Sequence, residues 1–405
     1  MTSLRAPMAS LALAAILLAA CGASAPAVSP ETPASTAPSA RASTPASPGT
    51  PPVMVPPDGR TWFGVNPDWA EQTAEEVGES LGVMPAVWVQ FVRFPLDDGA
   101  RTNLEGFFEQ VAGVGAYGLV TLEPHDGLDA VTPEAAEQLA TLLDAAWTDH
   151  GVPTFVRFAH EMNGSWYPWA QQPEAYVDAF RTVAAAIHAG APASAMVWAP
   201  NDGAGYPFTG GSYGAAEGSP EAAALDTDGD GALTRTDDPY APYWPGDDVV
   251  DWVGMSVYFW GLEYPWGENE IAPEGRFAAQ LTGQPTGAHF DEVGVPDFYA
   301  TYADGHDKPM AVIETAALYD PAGDGPEEAE VKGAWFRQVF TDATREAFPR
   351  IGMINWFEWR KDEPEVGSVV DWRLGADPAL AASLLDDIPG DWLLFAPVDP
   401  ATAGE

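Results

Sequence analysis

The chain of 405 residues has a single cysteine, Cys21, so neither an intramolecular disulfide nor a thiolate metal cage can form. Basic residues are scarce as well. Lys and Arg number 17 against 60 Asp and Glu, and the resulting formal charge of -43 at pH 7 repels phosphate backbones, which argues against nucleic-acid partners. No G-x-G-x-x-G follows the first apolar run of the folded region, which removes the usual dinucleotide-binding fingerprint. Apolar residues, by contrast, make up 46% of the chain, enough for a large core and too much for general disorder. The 16 Trp, 12 Tyr and 18 Phe supply flat rings with polar edges, suited to sugar faces as well as to core filling.

The N-terminus reads as a targeting segment. Arg5 gives a positive start, residues 11–18 form an apolar stretch too short to span a bilayer, and Leu18-Ala19-Ala20-Cys21 sets small residues before the cysteine. This pattern resembles a bacterial lipoprotein signal. The resemblance implies that residues 1–20 are removed and that Cys21 becomes the lipidated first residue of an extracellular protein tethered to the cell membrane, the anchor being its only membrane contact. An ordinary cleaved signal is the alternative. Residues 21–58 are Ala, Ser, Thr and Pro with few large apolar groups; such a stretch cannot bury enough surface to order itself, so a semi-extended spacer is expected. The folded domain is expected over 59–397, with order starting near Trp62 and a tail at 398–405.

Within that domain, short β-branched or aromatic runs alternate with amphipathic segments. The runs are 62–65, 86–94, 117–122, 154–159, 195–199, 249–259, 309–313 and 351–356. Helical spacing lies between them, as at Leu104, Phe107, Phe108 and Val111, or over 133–147, where Thr132 suits a cap and Pro133 the first helical position. Segments 176–187 and 327–340 read the same way. Eight strands alternating with helices indicate an α/β fold, a closed (β/α)8 TIM barrel, with an open doubly wound sheet as the other architecture in play. In a barrel the chemistry sits at the C-terminal strand ends.

Two glutamates fall at such ends, Glu161 after the fourth run and Glu314 after the seventh. Facing carboxylates can divide glycosidic cleavage between them, one protonated and donating to the leaving oxygen, the other ionised and attacking the anomeric carbon. The segment Arg157-Phe-Ala-His160-Glu161-Met-Asn163-Gly-Ser-Trp166-Tyr167-Pro-Trp169 resembles the acid/base strand of glycoside hydrolase family 26, retaining (β/α)8 enzymes best known as β-mannanases. Pro309-Met-Ala-Val-Ile-Glu314 is similar to that family's nucleophile strand, and the segments ending at Tyr258 and Trp356 to its sixth and eighth.

The resemblance implies that Glu161 is the general acid/base and Glu314 the nucleophile, with no cofactor for the chemistry. It further implies that His160 hydrogen-bonds the sugar against the nucleophile and that Tyr258 donates to the Glu314 carboxylate. Arg157, four residues before Glu161, lies on the same strand face but deeper, which suits a supporting positive charge better than a sugar contact. Trp166 and Trp356 are the leading sugar platforms, with Trp169, Trp260, Trp266 and Trp359 as further candidates, and His125 could reach a distal sugar.

Between the fifth and sixth runs, residues 226–237 carry Asp226, Asp228, Asp230 and Asp237 at positions 1, 3, 5 and 12 of a loop with Gly231 at position 6. That is a calcium-loop pattern, with the backbone of Ala232 as the seventh-position ligand. A structural Ca2+ on a long insertion is expected. Dockerin modules share the terminal Asp but carry paired repeats at a chain end, whereas one copy stands here in mid-domain.

The leading functional expectation is a secreted, tethered, monomeric endo-glycosidase acting on a β-linked polysaccharide, β-1,4-mannan first. β-1,3-Xylan and mixed-linkage β-glucan remain open within the same resemblance. Two other classes stay in play, a non-catalytic carbohydrate-binding lipoprotein and a scaffold that docks a partner through its calcium loop.

Overall fold

The computed structural model describes residues 51–52, 54–285 and 293–398. The signal segment, Cys21, most of the spacer and residues 399–405 lie outside the described residues.

Eight strands, β1 (Thr61–Pro67), β2 (Val87–Arg93), β3 (Tyr117–Glu123), β4 (Thr154–Phe158), β5 (Ser194–Trp198), β6 (Trp252–Ser256), β7 (Met310–Thr315) and β8 (Ile351–Glu358), pair in order and in parallel. Six residue pairs between β1 and β8 close the ring. The open-sheet alternative is thereby excluded, and the fold is a (β/α)8 barrel. Around it run α1 (Ala74–Leu81), α2 (Asp98–Val114), α3 (Pro133–His150), α4 (Pro173–Gly190), α5 (Pro220–Leu225), α6 (Arg276–Leu281), α7 (Glu328–Val339), α8 (Asp342–Ala347) and α9 (Pro378–Asp386).

Local chemistry sets the helix ends. At α3 the Thr132 hydroxyl accepts from the Ala135 N–H at 3.2 Å, Pro133 occupies the first turn where its missing N–H costs nothing, and Gly151 (φ 71°) closes the helix in the left-handed region.

Strand alternation divides the interior into two cores. Outward residues such as Val65, Val156, Phe158, Val312 and Trp356 meet the helices. Inward ones fill the lower barrel with rings: Trp62 lies 4.7 Å from Tyr117 and 6.1 Å from Trp252, and Phe155 5.4 Å from Trp252. The barrel is thus a packed plug and not a pore. Met54 and Val55 cover its underside, where the Trp252 indole N–H donates to the Met54 carbonyl at 2.8 Å. Packing against the barrel is thus already present at Met54 and Val55, ahead of the expected Trp62, because these two large apolar side chains meet an apolar floor.

Two features went unread in the sequence. A short strand β11 (Leu393–Leu394) pairs with β1 below the barrel, and a hairpin of β9 (Arg360–Glu363) and β10 (Ser368–Asp371) follows β8. The segment after the hairpin is held by Glu358, whose carboxylate accepts from the N–H groups of Leu374 (2.9 Å) and Gly375 (2.6 Å). It brings Trp372 against Tyr258 (5.4 Å), Trp260 (5.0 Å) and Phe357 (6.3 Å).

Candidate active site

On β4, Phe155 points into the plug and Arg157, two residues on, points inward one layer higher. The strand then breaks. Ala159 (φ 46°) and Glu161 (φ 53°) both adopt left-handed backbone angles, a strain of roughly 1–3 kcal/mol at each non-glycine residue, and the resulting turn directs Glu161 at the barrel mouth. The Glu161 N–H bonds to the Ala199 carbonyl at the end of β5 (3.2 Å), fixing that turn to the barrel.

Glu314 is re-aimed by a different device. Ala311 and Ile313 face the plug, so plain alternation would send Glu314 outward to the helices. Register shifts against both neighbours interrupt the pattern: Met255 pairs with Val312 but Ser256 with Glu314, leaving Ile313 as the extra residue. Thr315 becomes the outward group, its hydroxyl accepting from the Trp335 indole of α7 (2.9 Å), and Glu314 turns into the mouth.

One polar network then joins the two carboxylates. Arg157, fully buried, donates to Glu314 Oε1 through one guanidinium nitrogen and to the Ser256 hydroxyl through the other (2.7 Å). Tyr258 donates its hydroxyl to Glu314 Oε2 at 2.7 Å. The Ser256 side chain also favours the ionised form of Glu161, and the Trp166 indole donates to Glu161 Oε2 at 3.0 Å.

Burial, aided by the negative charge of Glu314, pushes the Glu161 carboxyl above the ordinary range; Arg157, Ser256 and Trp166 offset part of that rise. Tyr258, buried beside Glu314, is held well above the usual phenol range and so remains a donor. His160 is held well below its ordinary value by burial and by Arg157, so its imidazole is neutral. It sits among Phe91 (5.1 Å), Tyr167 (4.6 Å) and Trp169 (5.5 Å), with Nδ1 buried and unpartnered.

The arrangement brings together most of the residues expected from the sequence. Arg157 has no exposed surface, so it acts on Glu314 and not on a sugar. Trp166 is half-buried, with its N–H committed to Glu161. Trp169 is buried beneath His160, donating to the His160 carbonyl at 2.7 Å. His125 lies at the end of β3 against Trp169 (5.4 Å), with a third of its side chain exposed.

Trp356 requires a correction. It is fully buried on the outer face of β8, 5.8 Å from Phe336 of α7, with its N–H bonded to the Trp372 carbonyl, and it cannot serve as a sugar platform. Met353 and Asn355 face inward, so alternation gives the mouth position to Phe357 and leaves Trp356 to the core. Trp359, stacked on Phe357 at 6.1 Å and half-buried, takes the place at the rim.

The acidic loop is folded in part as expected. Carboxylate oxygens of Asp226, Asp228 and Asp237 lie within 4.8 Å of one another, and the Asp237 side chain is buried, accepting from the N–H groups of Thr227 (2.6 Å) and Thr234 (2.8 Å). Asp230 stands outside that group. Its exposed carboxylate accepts from the Ala232 N–H at 2.8 Å, so a tight local turn holds both residues. The three clustered carboxylates are hard oxygen donors of the kind Ca2+ takes.

Ser256, Glu123 and Tyr167 also line the site. A serine in an apolar run carries no chemical signature, Glu123 reads only as the polar end of the run 117–122, and Tyr167 only as one aromatic among several after Glu161.

The fold thus defines a (β/α)8 barrel with two carboxylates, Glu161 and Glu314, joined at its mouth. No protein-family model matches the chain. It is similar to Endoglucanase H of Acetivibrio thermocellus, 22% identical over 331 residues that cover 79% of this chain and 29% of that protein. The chain therefore spans under a third of that relative's length. Among solved structures it is similar to an endo-β-1,4-mannanase double mutant of Cellulomonas fimi (TM-score 0.52, 18% identity, covering 84% of this chain and 73% of that one). It is also similar to GH26C of a Muricauda species (TM-score 0.53, 12% identity, covering 83% and 87%). At these identities the likeness is one of fold, and both structures share the barrel described above.

Proposed function

We propose that the protein is a retaining glycoside hydrolase that cuts internal β-linkages of a polysaccharide, β-1,4-mannan first, by double displacement. One observation carries this reading. Glu161 and Glu314 share a network that treats them oppositely: burial favours the protonated form of Glu161, while an arginine and a tyrosine both donate to Glu314. Protonated Glu161 gives its proton to the glycosidic oxygen as Glu314 attacks the anomeric carbon, so the C–O bond breaks and a glycosyl ester forms. Glu161, now a carboxylate, takes a proton from water, whose oxygen attacks the same carbon and releases Glu314. His160, neutral and adjacent to Glu161, hydrogen-bonds the sugar beside the nucleophile, and Trp166, Trp359 and His125 contact the chain.

Likeness to the Cellulomonas fimi endo-β-1,4-mannanase supports mannan, and likeness to Endoglucanase H makes β-glucan the second substrate to test. We further propose a structural Ca2+ held by Asp226, Asp228 and Asp237, and tethering outside the cell through lipidated Cys21. The test is a panel of purified mannan, β-glucan and β-1,3-xylan with product sizing. Hydrolysis of one of them by the wild type, lost in Glu314→Gln and in Glu161→Gln, is the expected result; full activity in either variant would overturn the assignment.

A further inference from the structure

Double displacement needs two carboxylates, yet a third faces the same space. Tyr117 and Leu119 of β3 point into the plug, and the same alternation carries Thr121 and then Glu123 inward, the last at the mouth. Glu123 lies one step beyond the last β3–β4 pair, Leu122 with Phe158, level with the break of β4 at Ala159. It interacts electrostatically with Glu314 and Arg157, and together with Glu161 and Glu314 it acts on Tyr167. Its side chain is 19% exposed, and its Oε2 lies 3.4 Å from His125 Nε2.

A carboxylate in this position is costly. Burial above all, and then the charge of Glu314, oppose its ionisation, His125 and Arg157 favour it, and the mechanism assigns it no proton to move. An ionised carboxylate has one clear use toward a neutral saccharide: its two oxygens accept hydrogen bonds from two adjacent hydroxyls, in the charge-assisted form that is stronger than a neutral pair. A buried acceptor of this kind also discriminates, because a ring lacking either hydroxyl leaves it unpaired.

We propose that Glu123, held by His125, is a specificity-determining residue that reads two adjacent free hydroxyls of the sugar seated on the β3 side of the mouth. The ligand class is a neutral glycan with that ring unsubstituted; O-acetyl groups or branches on it are rejected. This rests on the hydrolase reading above.

The experiment uses the hexasaccharide that the wild type cleaves among β-1,4-mannohexaose, cellohexaose and β-1,3-xylohexaose, with the matching O-acetylated oligosaccharide. Glu123→Gln should lower kcat/KM about 10- to 100-fold, mostly through KM, and should reduce the preference for the unacetylated substrate. The melting temperature should stay near wild type. Glu123→Asp, which keeps the charge on a shorter stem, should recover part of the loss and serves alone if the glutamine variant does not fold. Equal kcat/KM in wild type and variants, or an unchanged acetyl preference, would overturn the inference while leaving the hydrolase reading intact. A wild type that cleaves none of the three sinks both.

Discussion

The lower and upper halves of the barrel interior are built from the same eight strands and could hardly differ more. Below, Trp62, Tyr117, Phe155 and Trp252 interlock as apolar rings sealed by Met54 and Val55. Above, one to three inward positions further along the strands, stand Arg157, Ser256, Glu123 and Glu314, with buried polar atoms such as Arg157 Nε, Thr121 Oγ1 and Asn355 Oδ1 left unpartnered. Unpaired buried polar groups and left-handed backbone at Ala159 and Glu161 both cost stability. The comparison teaches that the apolar half offsets a polar half that would not fold alone.

Substitutions can break this division. Glu314→Gln should reduce kcat by a factor on the order of 10^4 to 10^6, measured on the polysaccharide the wild type cleaves. Phe155→Ala, two residues below Arg157, should remove about 3–5 kcal/mol of stability in denaturant titrations and leave kcat of the folded fraction unchanged. A large kcat loss there would mean that the halves are not separable. Trp356→Ala, on the outer face, should cost a similar amount of stability with KM unaltered, whereas Trp359→Ala should raise KM.

Smaller effects sharpen the picture. If the loop holds Ca2+, EGTA should lower the melting temperature by about 5 °C, and Asp237→Ala should abolish that response. Trp166→Phe removes a hydrogen bond that stabilises the Glu161 carboxylate, so the carboxyl's pKa should rise. Because the acid must be protonated to act, the alkaline limb of kcat/KM should then move to higher pH. A limb that moves the other way would show that Trp166 does not set the acid's proton affinity.

Strand order was legible because parallel barrel strands are buried on both faces and read as uninterrupted apolar runs, as at 117–122 and 154–159. The sixth was read too long, 249–259 for an observed Trp252–Ser256, because apolar loop residues extend the run. The β9–β10 hairpin escaped notice, since Arg360 to Glu363 is wholly charged and lacks alternation. Glu161 and Glu314 were visible as polar ends of apolar runs. Their orientation was not, because it depends on a broken strand and on a register slip that involve neighbouring chain segments. Trp356 is the opposite case: alternation from Met353 and Asn355 places it on the outer face, and an aromatic side chain by itself does not reveal that parity.

The floor beneath the plug has a practical corollary. Met54 and Val55 lead into the barrel there, and Val398 leaves from the same side, its N–H bonded to the Gly115 carbonyl that precedes β3. Both connections lie at the pole away from Glu161 and Glu314. Coupling the domain to a bead, a fusion partner or any surface through either connection would leave the barrel mouth, with Glu161 and Glu314, facing open solution.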